Sequence, residues 1–521
     1  MTVGLPPRRR GARPDEVVMF VRTLATTVAG GTRAVLARAN AYAAAGHPTT
    51  LVVTSVVPDG GAWARETGLL DPRVRVRHFW RDGPGPAERA AAAGLAPLEP
   101  PRVPDGDGVV RRRRRTDAGE RWRTTVDGVL RTQELRSPGT GALVSFVTYA
   151  DDGRRESVWT WVDGRLATVD RFDPAGGRVR EFVVDGRLVW LTAELTGSEG
   201  TGAVTYAVRD GAAPGTLPQD YAGALAAWLD EELAGRERVV VVADGENVWQ
   251  RTLRLLRHPG VRGVSVLHNS HLAPPYGPDA PTKEHWRGYF DDLRNVDAMV
   301  CLTGRQQRDL TRRYPGLPLR VVHHAAGRPD AGRVPRDPRA VVFVGRLAPQ
   351  KQLDHLLRAF ALARREVPDA RLDLYGEGPL EGELRALAAD LGLDAAVTFH
   401  GLTDAPLRAF AGARVAAMTS LHEGLPLTLT EGMSVGTPFV AYDCCYGPGE
   451  VLRDGENGFL VAPGDVDAFA ARLVDVLRDD ALARRLGRAA RRVRRELGPR
   501  RYRRAWLDVL DDVLAVPTPP R

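Results

Sequence analysis

The feature that most constrains this chain is a regular alternation, from Ala340 onward, of short apolar runs and longer amphipathic ones. Ala340–Val344, Arg371–Tyr375, Val397–His400, Val415–Thr419 and Pro438–Tyr442 are strand-length and rich in β-branched or aromatic residues. They predict strands. Leu353–Arg365 and Glu381–Ala389 lie between them and predict helices. A continuous apolar run such as Ala340–Val344 suits a strand covered on both faces, as in a parallel sheet with helices on either side. A helical, basic tail from Val466 to Leu514 completes this half.

The first half repeats the alternation with one interruption. Val17–Val21 reads as a strand, Ala29-Gly30-Gly31-Thr32 as a glycine loop and Arg33–Ala45 as a helix. Leu51–Val57 and Val74–Phe79 read as strands. Pro-rich sequence then runs from Pro97 to Pro104, and Arg111–Arg115 reads as a solvated cationic surface. From Trp122 to Val208 the period is two, with Asp152-Gly153, Asp163-Gly164 and Asp185-Gly186 as hairpin turns. This predicts an inserted antiparallel sheet. Alternation resumes with a helix at Tyr221–Leu233 and strands at Val239–Ala243, Gly263–His268, Ala298–Thr303 and Leu319–His324. Gly and Pro in Ala331–Pro338 mark a linker.

A chain of 521 residues exceeds the roughly 250–300 residues of a single core. The expected class is α/β, with two Rossmann-like doubly wound domains and an antiparallel β-rich insert in the first. The expected divisions are 1–95 and 214–330 for the first domain, 96–213 for the insert, 331–500 for the second domain and 501–521 for a helix and tail.

The formal charge of +8 rests on arginine. It suits an anionic partner such as a nucleotide donor, a phosphate-rich polymer or the inner membrane surface, or it reflects composition alone. The basic residues are dispersed and no nucleic-acid module is present, so nucleic acid is not the expected partner. Three cysteines, Cys301 and the adjacent Cys444 and Cys445, give neither a disulfide framework nor zinc spacing. A reducing, cytoplasmic compartment is expected. Arg8–Arg10 before Val17–Phe20 mimic a signal peptide, but Asp15, Glu16 and Arg22 interrupt the pattern and a first strand is the better reading. No apolar run approaches the ~20 residues of a membrane span.

Two constellations carry chemistry. In the first, strand Ala340–Val344 ends at Gly345, and Arg346 and Lys351 follow before the next helix. Ligands of open α/β sheets bind beyond the carboxyl ends of strands. A forked guanidinium and a point-charge ammonium there suit a diphosphate. In the second, Glu423, Gly424, Leu425 and Pro426 follow strand Val415–Thr419, and Glu431 lies in the first turns of a helix starting near Leu427. Free N–H groups at that helix start suit phosphate. Two spaced carboxylates can grip the hydroxyls of a hexose and a ribose. No Asp-x-Asp metal motif is suitably placed, so no metal and no cofactor are expected.

These residues resemble glycosyltransferase family 4, the large retaining GT-B family. The resemblance is strongest from Val344 to Val461. It takes in Gly345-Arg346-Leu347 to Lys351, Tyr375 to Pro379, Phe399-His400-Gly401, the Glu423/Glu431 pair and Asn457 to Val461. It implies a cleft between two Rossmann-like domains. Arg346 and Lys351 would bind the donor diphosphate, Glu423 the transferred sugar and Glu431 the ribose. Gly376, Gly378 and His400 would line the nucleotide side. Gly30 and Gly31 match the family's amino-terminal glycine loop. His268 and His271, after a strand, would face the cleft, one of them orienting the sugar or acceptor. The insert, with Leu267 to His271 and Tyr446 to Glu450, is similar to the branch containing poly(glycerol-phosphate) α-glucosyltransferases and serine-rich-protein glycosyltransferases. That likeness implies metal-independent, retaining transfer of glucose or N-acetylglucosamine from a UDP-linked donor. The acceptor would be a wall polymer, glycan or protein hydroxyl, and the insert would serve acceptor contact or self-association. The alternative is a non-catalytic binding or chaperone subunit.

Overall fold

The computed structural model describes residues 13–22, 24, 30–54, 64–79, 102–116, 119–137, 140–162, 165–172, 178–184, 187–194, 204–208, 221–245, 247–327 and 331–515. It divides into two compact units, one mainly of residues 14–241 and 246–261, the other mainly of residues 242–245 and 262–517.

The first unit opens with strand β1 (Glu16–Val21), helix α1 (Gly30–Ala44) and strands β2 (Thr49–Val53) and β3 (Arg75–His78). β1, β2 and β3 pair in parallel. β1 and β2 are buried along their whole length: Val17–Val21 and Leu51–Val53 are apolar, and the polar residues at their starts, Glu16 and Thr50, bond to each other. The expected glycine loop is corrected here: Gly30 and Gly31 are the first residues of α1. The strand expected to reach Val57 ends at Val53, and residues 55–57 lie outside the described residues.

The insert is a nine-stranded antiparallel meander. Its strands are β4 (Val109–Thr116), β5 (Gly119–Val126), β6 (Val129–Arg136), β7 (Leu143–Tyr149), β8 (Arg155–Val162), β9 (Arg165–Phe172), β10 (Arg178–Val184), β11 (Arg187–Glu194) and β12 (Val204–Val208). Each strand pairs with its sequence neighbours, so the edges are β4 and β12. Phe146, Trp159 and Val169 stand opposite one another on β7, β8 and β9 and form a small apolar core. The Arg111–Arg115 run lies within the sheet as edge strand β4, and all its side chains are exposed. Asp152-Gly153 forms the expected turn; Asp163-Gly164 and Asp185-Gly186 lie outside the described residues. Asp127 and Gly128, both with positive φ, make a further tight turn between β5 and β6. Helix α2 (Tyr221–Glu232), the first residues of β13 (Val239–Asp244) and helix α3 (Asn247–Leu255) complete the unit.

The second unit takes over the end of β13 and adds β14 (Val261–Leu267), α4 (Glu284–Phe290), β15 (Ala298–Cys301), α5 (Gly304–Arg313) and β16 (Leu319–Val321). These strands stand in the order β16-β15-β14-β13. After residues 331–338 come β17 (Ala340–Val344), α6 (Leu353–Glu366), β18 (Arg371–Tyr375), α7 (Glu381–Asp390), β19 (Val397–Gly401), α8 (Pro406–Gly412) and β20 (Val415–Met418). Then follow α9 (Leu427–Ser434), β21 (Phe439–Tyr442), α10 (Pro448–Val451), β22 (Gly458–Val461), α11 (Val466–Arg478), α12 (Asp480–Ala490), α13 (Val493–Glu496) and α14 (Pro499–Ala515).

The six parallel strands run in the order β19-β18-β17-β20-β21-β22, the doubly wound Rossmann order. The chain therefore reverses its direction of travel across the sheet between β17 and β20. Loops after those two strands diverge to opposite faces and leave a crevice at their carboxyl ends. Val341, Phe343, Leu356, Phe360, Leu372 and Phe469 belong to one buried core that holds the crevice walls. Among the described residues, no helix is long and apolar enough to cross a membrane, and no cluster of metal-ligating side chains occurs.

Candidate active site

The loops after β17 and β18 meet backbone to backbone. The Gly345 N–H donates to the Tyr375 carbonyl at 2.9 Å, and the Leu347 N–H to the Glu377 carbonyl at 3.0 Å. Gly376 has φ +137°, and a Cβ there would lie 1.9 Å from the Gly345 carbonyl oxygen. At Gly378 a Cβ would lie 2.2 Å from the Leu347 carbonyl oxygen. Glycine is thus required at both positions by space, and at Gly376 also by conformation.

The loop after β17 is also tied to the one after β20. A short 3₁₀ turn, Pro349–Lys351, leads into Gln352, which adopts the left-handed conformation. The Thr419 hydroxyl lies 2.8 Å from the Lys351 carbonyl oxygen and 3.0 Å from that of Gln352. The Leu421 N–H donates to the Gln350 carbonyl at 2.9 Å, and the Gln350 side-chain amide donates to the His422 carbonyl at 2.7 Å. With both backbones fixed, Lys351 Nζ sits 2.5 Å from Glu423 Oε1, and the two side chains are 16% and 10% exposed. This is the ion pair at the topological switch point.

Other loops brace Glu423. Its carbonyl accepts from the Tyr446 N–H at 2.8 Å, and its own N–H donates to the Cys445 carbonyl at 3.3 Å. A Cβ on Gly424 would lie 2.0 Å from the His268 carbonyl oxygen, so the loop after β14 lies directly against this turn. Leu425 and Pro426 are buried and deliver the chain into α9, with Pro426 as its N-cap. Glu431 is half-buried on that helix. The backbone N–H groups at the start of α9 point along its axis, where an anion is favoured.

His268 Nε2 lies 2.5 Å from Asp244 Oδ1, and its ring stacks on His324 at 5.7 Å between centroids. The carboxylate fixes the imidazole orientation. His271 does not face a crevice: it is completely buried, stacked on the Tyr446 ring at 5.8 Å and 3.5 Å from Asp309 Oδ2. Burial lowers its pKa to about 4, against the opposing pull of Asp309, so the ring is neutral. The expectation that His271 faces the site is corrected; its role is to pack. His422, beside Glu423, also has its pKa lowered to about 4, first by burial and then by Lys283. It bonds to Asn269 Oδ1 at 3.0 Å and packs on the Tyr276 ring at 4.3 Å.

The structure therefore brings Lys351, Glu423, Gly345, Gly376, Gly378 and the Gly424–Pro426 turn together, with the backbone of His268 against Gly424. Arg346 is exposed on the same loop and has no ion-pair partner among the described residues. His400 lies at the edge of β19, stacked on Tyr375 at 4.3 Å and bonded to Asp373 at 2.7 Å. Gly30 and Gly31 belong to the other unit. Asp244 was missed by the sequence reading, which ended that strand at Ala243. A carboxylate closing an otherwise all-apolar run at a strand's carboxyl end was the available signal. Asn269, Tyr276 and Lys283 gave no comparable sequence signal, because only the folded loop collects them.

The parallel doubly wound sheets with their antiparallel insert place the chain in the GT-B fold class. Residues 329–493 match the family model described as Glycosyl transferases group 1. The whole described fold is similar to TarM of S. aureus, solved with UDP and alpha-GlcNAc-glycerol, at TM-score 0.75 and 15% identity over 96% of this chain and 100% of that one. It is also similar to the pneumococcal O-GlcNAc transferase GtfA, at TM-score 0.67 and 16% identity over 97% and 100% of the two chains. In sequence, it is 27% identical to the poly(glycerol-phosphate) alpha-glucosyltransferase of Bacillus subtilis over 51% of this chain and 40% of that protein. It is 36% identical to an exopolysaccharide phosphotransferase of Streptomyces coelicolor over 37% of this chain and 21% of that protein. The chain thus spans less than half the length of these two curated relatives.

Proposed function

We propose that this protein is a retaining glycosyltransferase that moves a hexose, glucose or N-acetylglucosamine, from a nucleotide diphosphate donor to an acceptor hydroxyl. The observation that carries this reading is the Lys351–Glu423 pair, held at the switch point by loops whose backbones are locked together. A nearly buried ion pair contributes little net stability, because desolvation offsets the Coulomb attraction. It is well suited to exchange partners with a ligand. The Lys351 ammonium can turn to a donor phosphate, and the freed Glu423 carboxylate can accept from sugar hydroxyls. Arg346, exposed beside them, adds a second cation. Glu431, one helix turn into α9, is the residue we assign to the ribose.

As the bond to the anomeric carbon lengthens, negative charge grows on the leaving diphosphate and positive charge on the sugar ring. Lys351, Arg346 and the α9 N–H groups stabilise the former, and preorganised charges of this kind are the most effective catalytic devices. The leaving phosphate takes the acceptor proton on the same face, which gives retention. Two side-chain cations in place of a divalent ion make the transfer metal-independent. The acceptor class that best fits the chain's net charge is a phosphate-bearing polymer. The insert is the part we assign to acceptor contact or self-association, and the cytoplasm is the expected compartment.

The test is a donor screen with the purified chain, reading released nucleotide diphosphate with and without EDTA. Turnover of a UDP-sugar that survives EDTA and is lost in Lys351→Ala supports the reading. Full activity in Lys351→Ala and Glu423→Ala would remove its basis.

A further inference from the structure

Away from the donor loops, the second unit carries a groove whose charged lining residues are all arginines, set among alanine, glycine, proline and valine. Three adjoining cavities, of about 750, 710 and 270 Å³, share Arg494 or the Arg336–Arg491 pair between neighbours. Their walls come from the 331–336 segment and from α12 to α14, and no aspartate or glutamate lines any of them. Arginine is common throughout this chain, but elsewhere it is usually compensated. Arg339 pairs with Asp369 and Arg385 with Glu381, both at 2.8 Å.

In the third cavity Arg414 and Arg484 pair with Asp480 at 2.6 and 3.8 Å, but the partners of Arg336, Arg491 and Arg494 are neutral. Arg336 Nη2 donates to Thr437 Oγ1 at 3.3 Å, Arg491 Nη2 to the Val435 carbonyl at 3.3 Å and Arg494 Nε to the Ser434 carbonyl at 2.5 Å. All three guanidinium groups converge on the turn between α9 and β21. Gly436, with φ +85°, lets Arg491 lie over that turn: a Cβ there would be 2.5 Å from Arg491 Nε. Surrounding protein, then Arg491 and Arg414, push the Arg336 guanidinium down to about 10. Arg336, Arg491 and Arg494 thus present exposed positive charge to one groove without an acidic partner of their own, an arrangement that attracts an anion.

The groove is not the donor site. Arg336 precedes β17, Arg414 precedes β20 and Gly436 precedes β21, so these residues lie at the amino ends of the strands. Lys351 and Glu423 lie beyond the carboxyl ends. A five-residue strand separates the two by about 16 Å. We propose that this arginine groove binds a linear chain of phosphate groups at a second site, remote from the transfer reaction. A single phosphate would engage only one cavity, whereas a flexible polyanion can follow all three. The concave walls suit a threaded chain better than a flat lipid surface. A remote anchor of this kind would raise the effective concentration of a long anionic ligand without touching the donor.

The experiment uses the full chain and fluorescein-labelled, short-chain linear inorganic polyphosphate, read by anisotropy over a salt series. Expected is salt-dependent binding that weakens at least tenfold in Arg491→Gln/Arg494→Gln. It should change less than twofold in Arg112→Gln/Arg114→Gln, which removes equal charge from β4. Because Arg491 and Arg494 also brace the 434–437 turn, a second variant, Arg500→Gln/Arg501→Gln, alters only exposed side chains of the first cavity and is expected to weaken binding at least threefold. Unchanged binding in both groove variants overturns the proposal, and so does an equal loss in the β4 variant. Competition by inorganic phosphate at equal phosphate concentration would also overturn it, by reducing the site to a single-anion pocket. Loss of binding to phosphatidylglycerol vesicles in the groove variants, with polyphosphate binding intact, would reassign the groove to lipid headgroups.

Discussion

Lys351 and Glu423 are the residues on which the proposed reaction turns, and breaking their pair also bears on stability. Each is nearly buried and each is the other's counter-charge. Lys351→Ala leaves a carboxylate without its partner in a desolvated crevice, which costs about 2–3 kcal/mol. Chemical denaturation should therefore show the alanine variant less stable than wild type, and UDP-sugar turnover should fall at least about a hundredfold. A variant that melts normally yet does not turn over would locate the loss in chemistry. The histidines make a separate prediction. His271 and His422 are both held neutral down to about pH 4. In the unfolded chain they take up protons below about pH 6.5. The unfolded state thus binds more protons between those values, and the stability tied to the neutral rings is full above pH 6.5 and lost as pH falls toward 4. His271→Phe cannot titrate, so the stability of wild type relative to this variant should decline over that window. A constant difference across the window would mean that the buried ring is not disfavouring its proton.

At the scale of elements, what sequence could reveal depended on how much of the information was local. β17 and β20 were legible because an unbroken apolar run has few alternatives to a covered strand. The Glu423-to-Glu431 spacing was legible because a loop and a helix start fix it along the chain. Gly30 and Gly31 misled, since a glycine pair that suits a loop also fits a helix's first turn when the loop ends earlier. The arginine run was read correctly as solvated, since all five side chains are exposed, but its strand was not legible. Five charges on one short segment conceal a strand whose Arg111 and Arg113 stack on Trp122 at 4.7 and 5.5 Å, a contact made only by pairing with β5. His271 could not be placed from sequence, because its burial depends on Tyr446, far away in the chain. The loops around the ion pair are another non-local product, and glycine is where their closeness shows. Gly376→Ala would force a Cβ to within 1.9 Å of the Gly345 oxygen at a φ of +137°. We expect a loss of about 2–4 kcal/mol and weakened donor binding, because the Gly345 loop must move. Gly382→Ala, on α7 with nothing within 4 Å, should by contrast leave donor binding unchanged. Isothermal titration of UDP against the two variants checks both expectations.

At the scale of the whole molecule, the two units face different physical problems. The second unit buries its strands under helices on both faces, and its edge strands β16, β19 and β22 are only 3, 5 and 4 residues long, which limits the backbone open to pairing with another chain. The insert in the first unit is a nine-stranded open meander, and its first edge, β4, is a long strand with exposed side chains. Such an edge is a template for pairing with a second copy unless it is guarded. The guard is the arginine run. Arg111 and Arg136 both bond to the buried Glu134 carboxylate, and Arg115 bonds to Glu120 at 3.1 Å. Arg111, Arg113 and Arg115 therefore spend their charge within the sheet. Arg112 and Arg114 project from the opposite face of the same strand, exposed and without an acidic partner among the described residues. They are the residues whose repulsion a second β4 would meet. Replacing both with isoleucine keeps strand propensity, removes two positive charges and creates an apolar edge. Light scattering of Arg112→Ile/Arg114→Ile should show concentration-dependent growth of large species at low salt, where wild type stays at constant size. High salt should narrow the difference by screening the arginines that remain in wild type. If the double variant keeps the wild-type size at every concentration, charge is not what protects this edge. Protection would then rest on the twist of the meander, and any self-association through the insert would have to use its face.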